Sequence, residues 1–162
     1  EIINSPINSF IFRTSWVYDN HGDNFPNKIL NQLKKNIPLN VIDDQYGVPN
    51  HADLIAEITL KCMKKYFISS DELKNNMIGT YHLSSSGKVS WYDFSEFIIE
   101  NYFAHQKISK PFSIKRVASS KYDTLVRRPA NSVLCCDKIT SMFDVDLPPW
   151  QHHAYTIIES QT

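Results

Sequence analysis

Glycine is scarce in this chain. Only Gly22, Gly47, Gly79 and Gly87 occur among 162 residues. No pair is close enough for a GxGxxG or GxxGxxG loop, so the sequence holds no glycine-rich cradle for a dinucleotide phosphate. None of the eight tyrosines is followed four residues later by a lysine; Tyr92, for example, precedes Glu96 and Tyr122 precedes Val126. A tyrosine–lysine proton-transfer pair is therefore excluded from this chain. A GxSxG elbow, an HExxH helix and a P-loop are missing too. Charge of one sign is also lacking: 17 basic and 17 acidic residues cancel, which argues against nucleic-acid and acidic-membrane partners. No apolar run approaches a membrane span, and no signal peptide is visible. The chain opens Glu1-Ile2-Ile3-Asn4 without an initiator Met, as expected of a fragment or processed product.

The three cysteines, Cys62, Cys135 and Cys136, do not make a disulfide framework. Cys62 falls on an apolar helical stripe, and the adjacent pair lies in a run that reads as a strand. Vicinal disulfides are strained, so free thiols in a reducing, cytoplasmic compartment are expected. No spaced CxxC or CxxH pair offers a zinc site, and no metal ligands are assigned. His152 and His153 point different ways from a helix and read as surface residues. His82 reads as a hydrogen-bonded core histidine.

What is present is an ordinary globular composition, 42% hydrophobic and 21% charged. The length suits one domain that buries roughly two-thirds of its unfolded surface. Strand and helix signals alternate. Residues 10–13 read as a buried strand. Phe25, Ile29, Leu30 and Leu33 recur at helical spacing until Pro38. Residues 39–42 read as a strand and 43–49 as a loop. Leu54, Ile55, Ile58, Cys62, Met63 and Tyr66 form one helical stripe, with Asn50 as its expected N-cap. A surface loop is expected over 69–78, a strand over 80–83 and a turn over 84–88. Ser90 and Asp93 open a capping-box helix that buries Trp91, Phe94, Phe97, Ile98 and Tyr102. Ile114 to Val117 alternates like a strand, and two small helices are expected near 137–143 and 150–159.

The strongest functional signal is the run Arg13-Thr14-Ser15-Trp16-Val17-Tyr18, followed by Asn24-Phe25. It lies where strand 10–13 ends, and ligands of open α/β sheets bind beyond the carboxyl ends of strands. Thr14 and Ser15 offer hydroxyls, and Trp16 an indole plate for a sugar ring. Asn24, near a helix N-terminus, can meet a phosphate oxygen. Arg127 and Arg128 precede Pro129, and one guanidinium can clamp a diphosphate through two parallel bonds. Gln45 and the turn to Pro49 can present amide and backbone groups to a base or sugar. Each has a plainer use: Trp16 as core, Asn24 as a cap, the arginines as solvated surface. Singly, those uses prevail; the order and spacing of the motifs reverse that.

The runs FIFRTSWVY (10–18), NF (24–25), DQYGVPN (44–50), GTYHLSSSG (79–87), SWYDF (90–94), RRPANSVL (127–134) and LPPWQ (147–151) resemble, in order, the C-terminal half of dTDP-4-dehydrorhamnose reductases of the extended short-chain dehydrogenase/reductase superfamily. Two departures stand out. Asp19 replaces a usual Gly, which alters the loop under the sugar, and Asn50 replaces a usual Thr, which costs a hydroxyl contact.

The resemblance implies an α/β fold of short strands and several helices that lacks the N-terminal Rossmann half. Residues 1–162 then form a single substrate-binding domain, with 10–13 the last strand of that missing sheet. It implies a parent that reduces dTDP-4-dehydro-L-rhamnose with NADPH or NADH, with the cofactor loop and the tyrosine–lysine pair upstream of residue 1. No catalytic residue is then assigned to this chain, and no cofactor is expected bound to it alone. Trp16 falls to the deoxysugar side, Asn24 and either Arg128 or Arg127 to the diphosphate, Gln45 to the nucleotide, and Thr14 and Ser15 to the nicotinamide end, with Phe25 a further substrate-binding residue. The implied partners are a dTDP-linked deoxysugar, the Rossmann half, and a second copy at the open edge of strand 10–13. Alternatives are a non-catalytic regulatory subunit of the same fold, or a nucleotide-sugar epimerase or dehydratase. The Arg-Thr-Ser-Trp run argues against the epimerase and dehydratase.

Overall fold

A computed structural model describes residues 8–107, 114–121 and 128–160. The apolar run at 10–13 forms β1 (Phe10–Arg13), followed by β2 (Val17–Tyr18) and helix α1 (Phe25–Lys34). Then come β3 (Asn40–Ile42), β4 (Tyr46–Gly47), β5 (Asn50–His51), α2 (Ala52–Ile68) and α3 (Asp71–Met77). β6 (Gly79–His82), β7 (Val89–Ser90) and α4 (Trp91–Gln106) lead to β8 (Lys115–Val117), α5 (Asp137–Phe143) and α6 (Gln151–Glu159). The strands pair two by two: β1–β6, β2–β5 and β3–β8 in parallel, β4–β7 antiparallel. Parallel partners need a crossover, and α2 with α3 supplies it between β1 and β6.

Two apolar clusters hold these pieces. One gathers α1, α4 and α6 around Leu30, Phe94, Ile98 and Ile157. The other packs α2 and α5 on β6 through Leu54, Ile58, Cys62, Tyr81 and Ile139, with Phe10 and Phe12 of β1 against it. α4 belongs to the first cluster, and its start follows from Ser90. The Asp93 N–H donates to Ser90 Oγ at 3.0 Å, and the Ser90 hydroxyl donates to Asp93 Oδ2 at 2.7 Å. Such a cap contributes about 1 kcal/mol.

Several expectations change. Residues 71–77 are helical, not loop; Ser70 caps α3, whose side chains are mostly exposed, with only Met77 buried. The cap of α2 is His51, whose Nδ1 accepts the Asp53 N–H at 3.1 Å, while Asn50 lies in β5. Met63, expected on the buried stripe, is exposed. The face of α4 that is fully buried runs through Tyr92, Phe94, Ser95, Ile98, Ile99 and Phe103, while Trp91, Phe97 and Tyr102 are half-buried. That helix is covered from two sides, by α1 and α6, so a single stripe understates it. Residues 132–136 are irregular, so Cys135 and Cys136 do not lie on a strand; all three cysteines are free. His82 is half-buried, and its Nδ1–H donates to the Cys135 carbonyl at 3.0 Å.

His153 is buried, not at the surface. It stacks on His51, centroids 5.9 Å apart, and its Nδ1 has no partner. Burial, then the neighbouring His152 and His51, push its pKa below the ordinary 6.5, against the weaker pull of Glu57 and Asp53. Below 6.5 the unfolded chain takes up a proton that folded His153 refuses. Stability should therefore be fully present above 6.5 and fall as pH drops from there toward the lowered value. Urea unfolding on both sides of 6.5 checks this, and His153→Phe should flatten the loss.

Candidate functional site

Trp16 sits between β1 and β2 in a left-handed conformation, φ 47°, a region costly for a bulky residue unless its surroundings fix it. They do. The Asn50 N–H donates to the Trp16 carbonyl at 3.1 Å, and Asn50 Nδ2 donates to the Ser15 carbonyl at 2.7 Å. The indole stacks on Trp91, the first residue of α4, with centroids 3.5 Å apart and planes 10° off parallel. Phe25, the first residue of α1, packs against Trp91 at 4.4 Å. Two helix N-termini thus deliver two rings to one place, each set by its own cap.

This aromatic group borders two adjoining cavities. The larger, about 460 Å³, has an apolar wall that includes Phe25, Ile29, Leu39 and Val41, with Lys28, Gln32 and Asn40 at its polar side. The smaller, about 270 Å³, is lined by Trp16, Pro129 and Ser132. Gln45, Trp91 and Arg128 line both. Ser119 closes the larger cavity, pinned by the Asp44 carboxylate, which accepts from its N–H and its hydroxyl at 2.9 Å each. Arg128 is exposed and forms no ion pair among the described residues. Lys28, by contrast, is held by Asp23 at 3.2 Å. The arrangement offers an apolar compartment, a central cation and amide, and an aromatic compartment beyond.

Of the residues singled out from sequence, Trp16, Phe25, Gln45 and Arg128 converge here. Arg127 lies outside the described residues. Asn24 does not line either cavity. Its Oδ1 accepts the Asn27 N–H at 3.1 Å, capping α1, and its Nδ2 donates to the Asp19 and His21 carbonyls at 2.7 and 2.9 Å. Thr14 and Ser15 also line neither. Thr14 is exposed, and Ser15 carries a buried Oγ without a partner at the carboxyl end of β1. Ser85, beyond the end of the adjacent β6, has a second such hydroxyl. Asn50 has a structural use: with Ser85 N–H donating to its Oδ1 at 2.6 Å, it ties the two strand ends together. The residues that sequence reasoning missed are Trp91 as a cavity wall, and Ile29, Leu39 and Val41 as the apolar lining. Trp91 was readable as the residue following a cap, but nothing local pairs it with Trp16.

Comparison with known proteins gives the family. The family model described as the RmlD substrate binding domain matches residues 2–162. A dTDP-4-dehydrorhamnose reductase of Sinorhizobium fredii is 34% identical over 93% of this chain and 49% of its own length. That of Escherichia coli K12 is 36% identical over 87% of this chain and 46% of its own. The chain thus spans about half the length of the curated relatives it matches. Among solved structures, a dTDP-4-dehydrorhamnose reductase of Bacillus anthracis in complex with NADP superposes with TM-score 0.76 at 23% identity, covering 94% of this chain and 48% of that one. The fold is therefore α/β of the kind found in these reductases, and the chain belongs to the RmlD substrate-binding domain family.

Proposed function

We propose that this chain is the sugar-nucleotide-binding portion of an NADPH-dependent reductase that converts dTDP-4-dehydro-L-rhamnose to dTDP-L-rhamnose. The observation that carries this reading is the pair of cavities sharing Gln45, Trp91 and Arg128. A nucleoside diphosphate sugar has the matching order: a flat base, a doubly anionic bridge, and a deoxysugar. The apolar cavity suits the base, Arg128 the diphosphate through charge-assisted bonds, and the Trp16 compartment the sugar. Arg127 joins the diphosphate side in this reading, whereas Asn24, whose amide caps α1 and holds the preceding loop, acts there only by fixing the start of that helix.

Bound NADPH supplies the hydride. This chain meets that cofactor at most at its nicotinamide end, through the exposed Thr14 and the neighbouring Ser15. With four glycines and no tyrosine–lysine pair, the phosphate cradle and the proton donor come from a Rossmann partner half. The outer edge of β1, unpaired among the described residues, is where that sheet, or a second copy of this chain, adds a strand. Free thiols at all three cysteines suit a cytoplasmic setting. No helix among the described residues is long and apolar enough to cross a membrane.

Isothermal titration of the 162-residue chain with dTDP-rhamnose tests the reading. Weak, saturable binding is expected, because half the proposed pocket is supplied by the partner, and NADPH oxidation should be undetectable. Arg128→Ala should weaken binding about 10- to 100-fold, the loss of about 1.5–3 kcal/mol from a bond to a charged group. Binding unaffected by Arg128→Ala, or turnover by the chain alone, overturns it.

A further inference from the structure

The neighbourhood of Gly47 shows how Trp16 is held. A Cβ placed on Gly47 falls nearest to Trp16 Cε2, with the bonded ring atoms Cζ2 and Nε1 both at 2.7 Å. An in-plane approach brings those neighbours nearer than Cε2 itself, so Gly47 lies over a face of the indole. Trp91 covers a face too, at 3.5 Å. No Trp91 atom lies as close to the Gly47 position as these Trp16 atoms, so the two occupy opposite faces. Trp16 is nonetheless only half-buried and lines the smaller cavity. With both faces covered, the part it exposes is an edge.

We propose that Gly47 is a positioning residue: lacking a side chain, it lets Trp16 be clamped between its own backbone and Trp91, so that Trp16 meets a ligand edge-on. The expectation of an indole plate under a sugar ring is thereby replaced. An indole edge carries the positive rim of the ring quadrupole. It favours hydroxyl and phosphate oxygens over the apolar face of a sugar. This inference rests on the reading of the ligand as a dTDP-sugar, but the clamp can be tested without any ligand.

Gly47→Ala is a clean probe because Gly47 does not use a left-handed φ, so the added methyl group acts through its collision with Trp16. Stacked indoles give an exciton couplet in far-ultraviolet circular dichroism. The parent chain should show one, and both Trp91→Leu and Gly47→Ala should lose most of it. Each of Gly47→Ala and Trp16→Leu should weaken dTDP-rhamnose binding about tenfold, and the double variant no further, as expected of residues acting through one contact. The double variant should also regain any urea midpoint lost by Gly47→Ala, since the colliding ring is gone. A couplet that survives Gly47→Ala, or binding losses that multiply, overturns the proposal. A parent chain that shows the couplet but binds no dTDP-rhamnose overturns the edge-on ligand contact together with the ligand reading, and leaves the clamp established.

Discussion

Phe94→Ala is expected to lower the unfolding free energy by about 3–5 kcal/mol, the range for deleting a buried phenyl ring and leaving its cavity. The residue is 1% exposed. Its ring meets Tyr18 at 5.9 Å, Phe25 at 6.0 Å and the edge of Trp150 at 5.4 Å. It therefore joins three separate segments: the strand end after Trp16, the first turn of α1, and the start of α6. Rings of this size cannot close the gap by small shifts, so the transfer loss and the cavity cost both apply. Domains have only about 5–15 kcal/mol in total, so this one change removes a large share. Urea unfolding followed by tryptophan fluorescence measures it. Phe67→Ala on α2 is the control: that ring is 67% exposed and should stay within about 0.5 kcal/mol. A loss below 1 kcal/mol at Phe94, by the same measurement, means the aromatic group repacks and does not depend on it.

The same residues show what could be read from the sequence. β1, α1, β3, β6, α4, α5 and α6 all announce themselves locally, by an apolar run, a helical period or a cap. α3 does not, because its seven residues bury only Met77 and leave no period to count. The two-residue strands β2, β4, β5 and β7 are equally silent: they exist because distant segments meet, as Val17 meets Asn50 and Gly47 meets Val89. The site divides in the same way. Trp16, Phe25, Gln45 and Arg128 come together because helix starts and strand ends converge. Asn24 had two chemically sound uses, and the structure gives its amide to the cap and the preceding loop. His153 read as surface because helical phase alone does not reveal that His51, on a remote segment, covers one side of it. The Trp16–Trp91 stack and its seat on Gly47 are wholly tertiary, so no local pattern encodes them.

Asn50 is where local chemistry and tertiary geometry meet, and Asn50→Asp should expose both. The side chain is fully buried and makes three bonds. Oδ1 accepts the Ser85 N–H at 2.6 Å, and Nδ2 donates to the Ser15 carbonyl at 2.7 Å and the Val48 carbonyl at 3.0 Å. A carboxylate of the same shape keeps the first bond. It turns the other two into oxygens facing oxygens, with a charge that burial already penalises. Leaving such partners unsatisfied costs about 1–3 kcal/mol each, so a loss of about 3 kcal/mol or more is expected near neutral pH. The sign of its pH dependence follows. Burial and two carbonyls favour the protonated acid in the fold, so its folded pKa lies above that of the unfolded chain. The folded state then binds more protons, and the variant's deficit relative to the parent should shrink as pH falls through the raised value. One restored O–H donor can serve one carbonyl only, so the recovery should be incomplete. Urea midpoints of both proteins across an acidic series test this. A deficit that does not change with pH means water reaches the carboxylate, and Asn50 is not the dry strut that joins Ser15, Trp16 and Ser85. Because the same residue fixes the backbone of Trp16, the Trp16–Trp91 exciton couplet should weaken with stability and return with it.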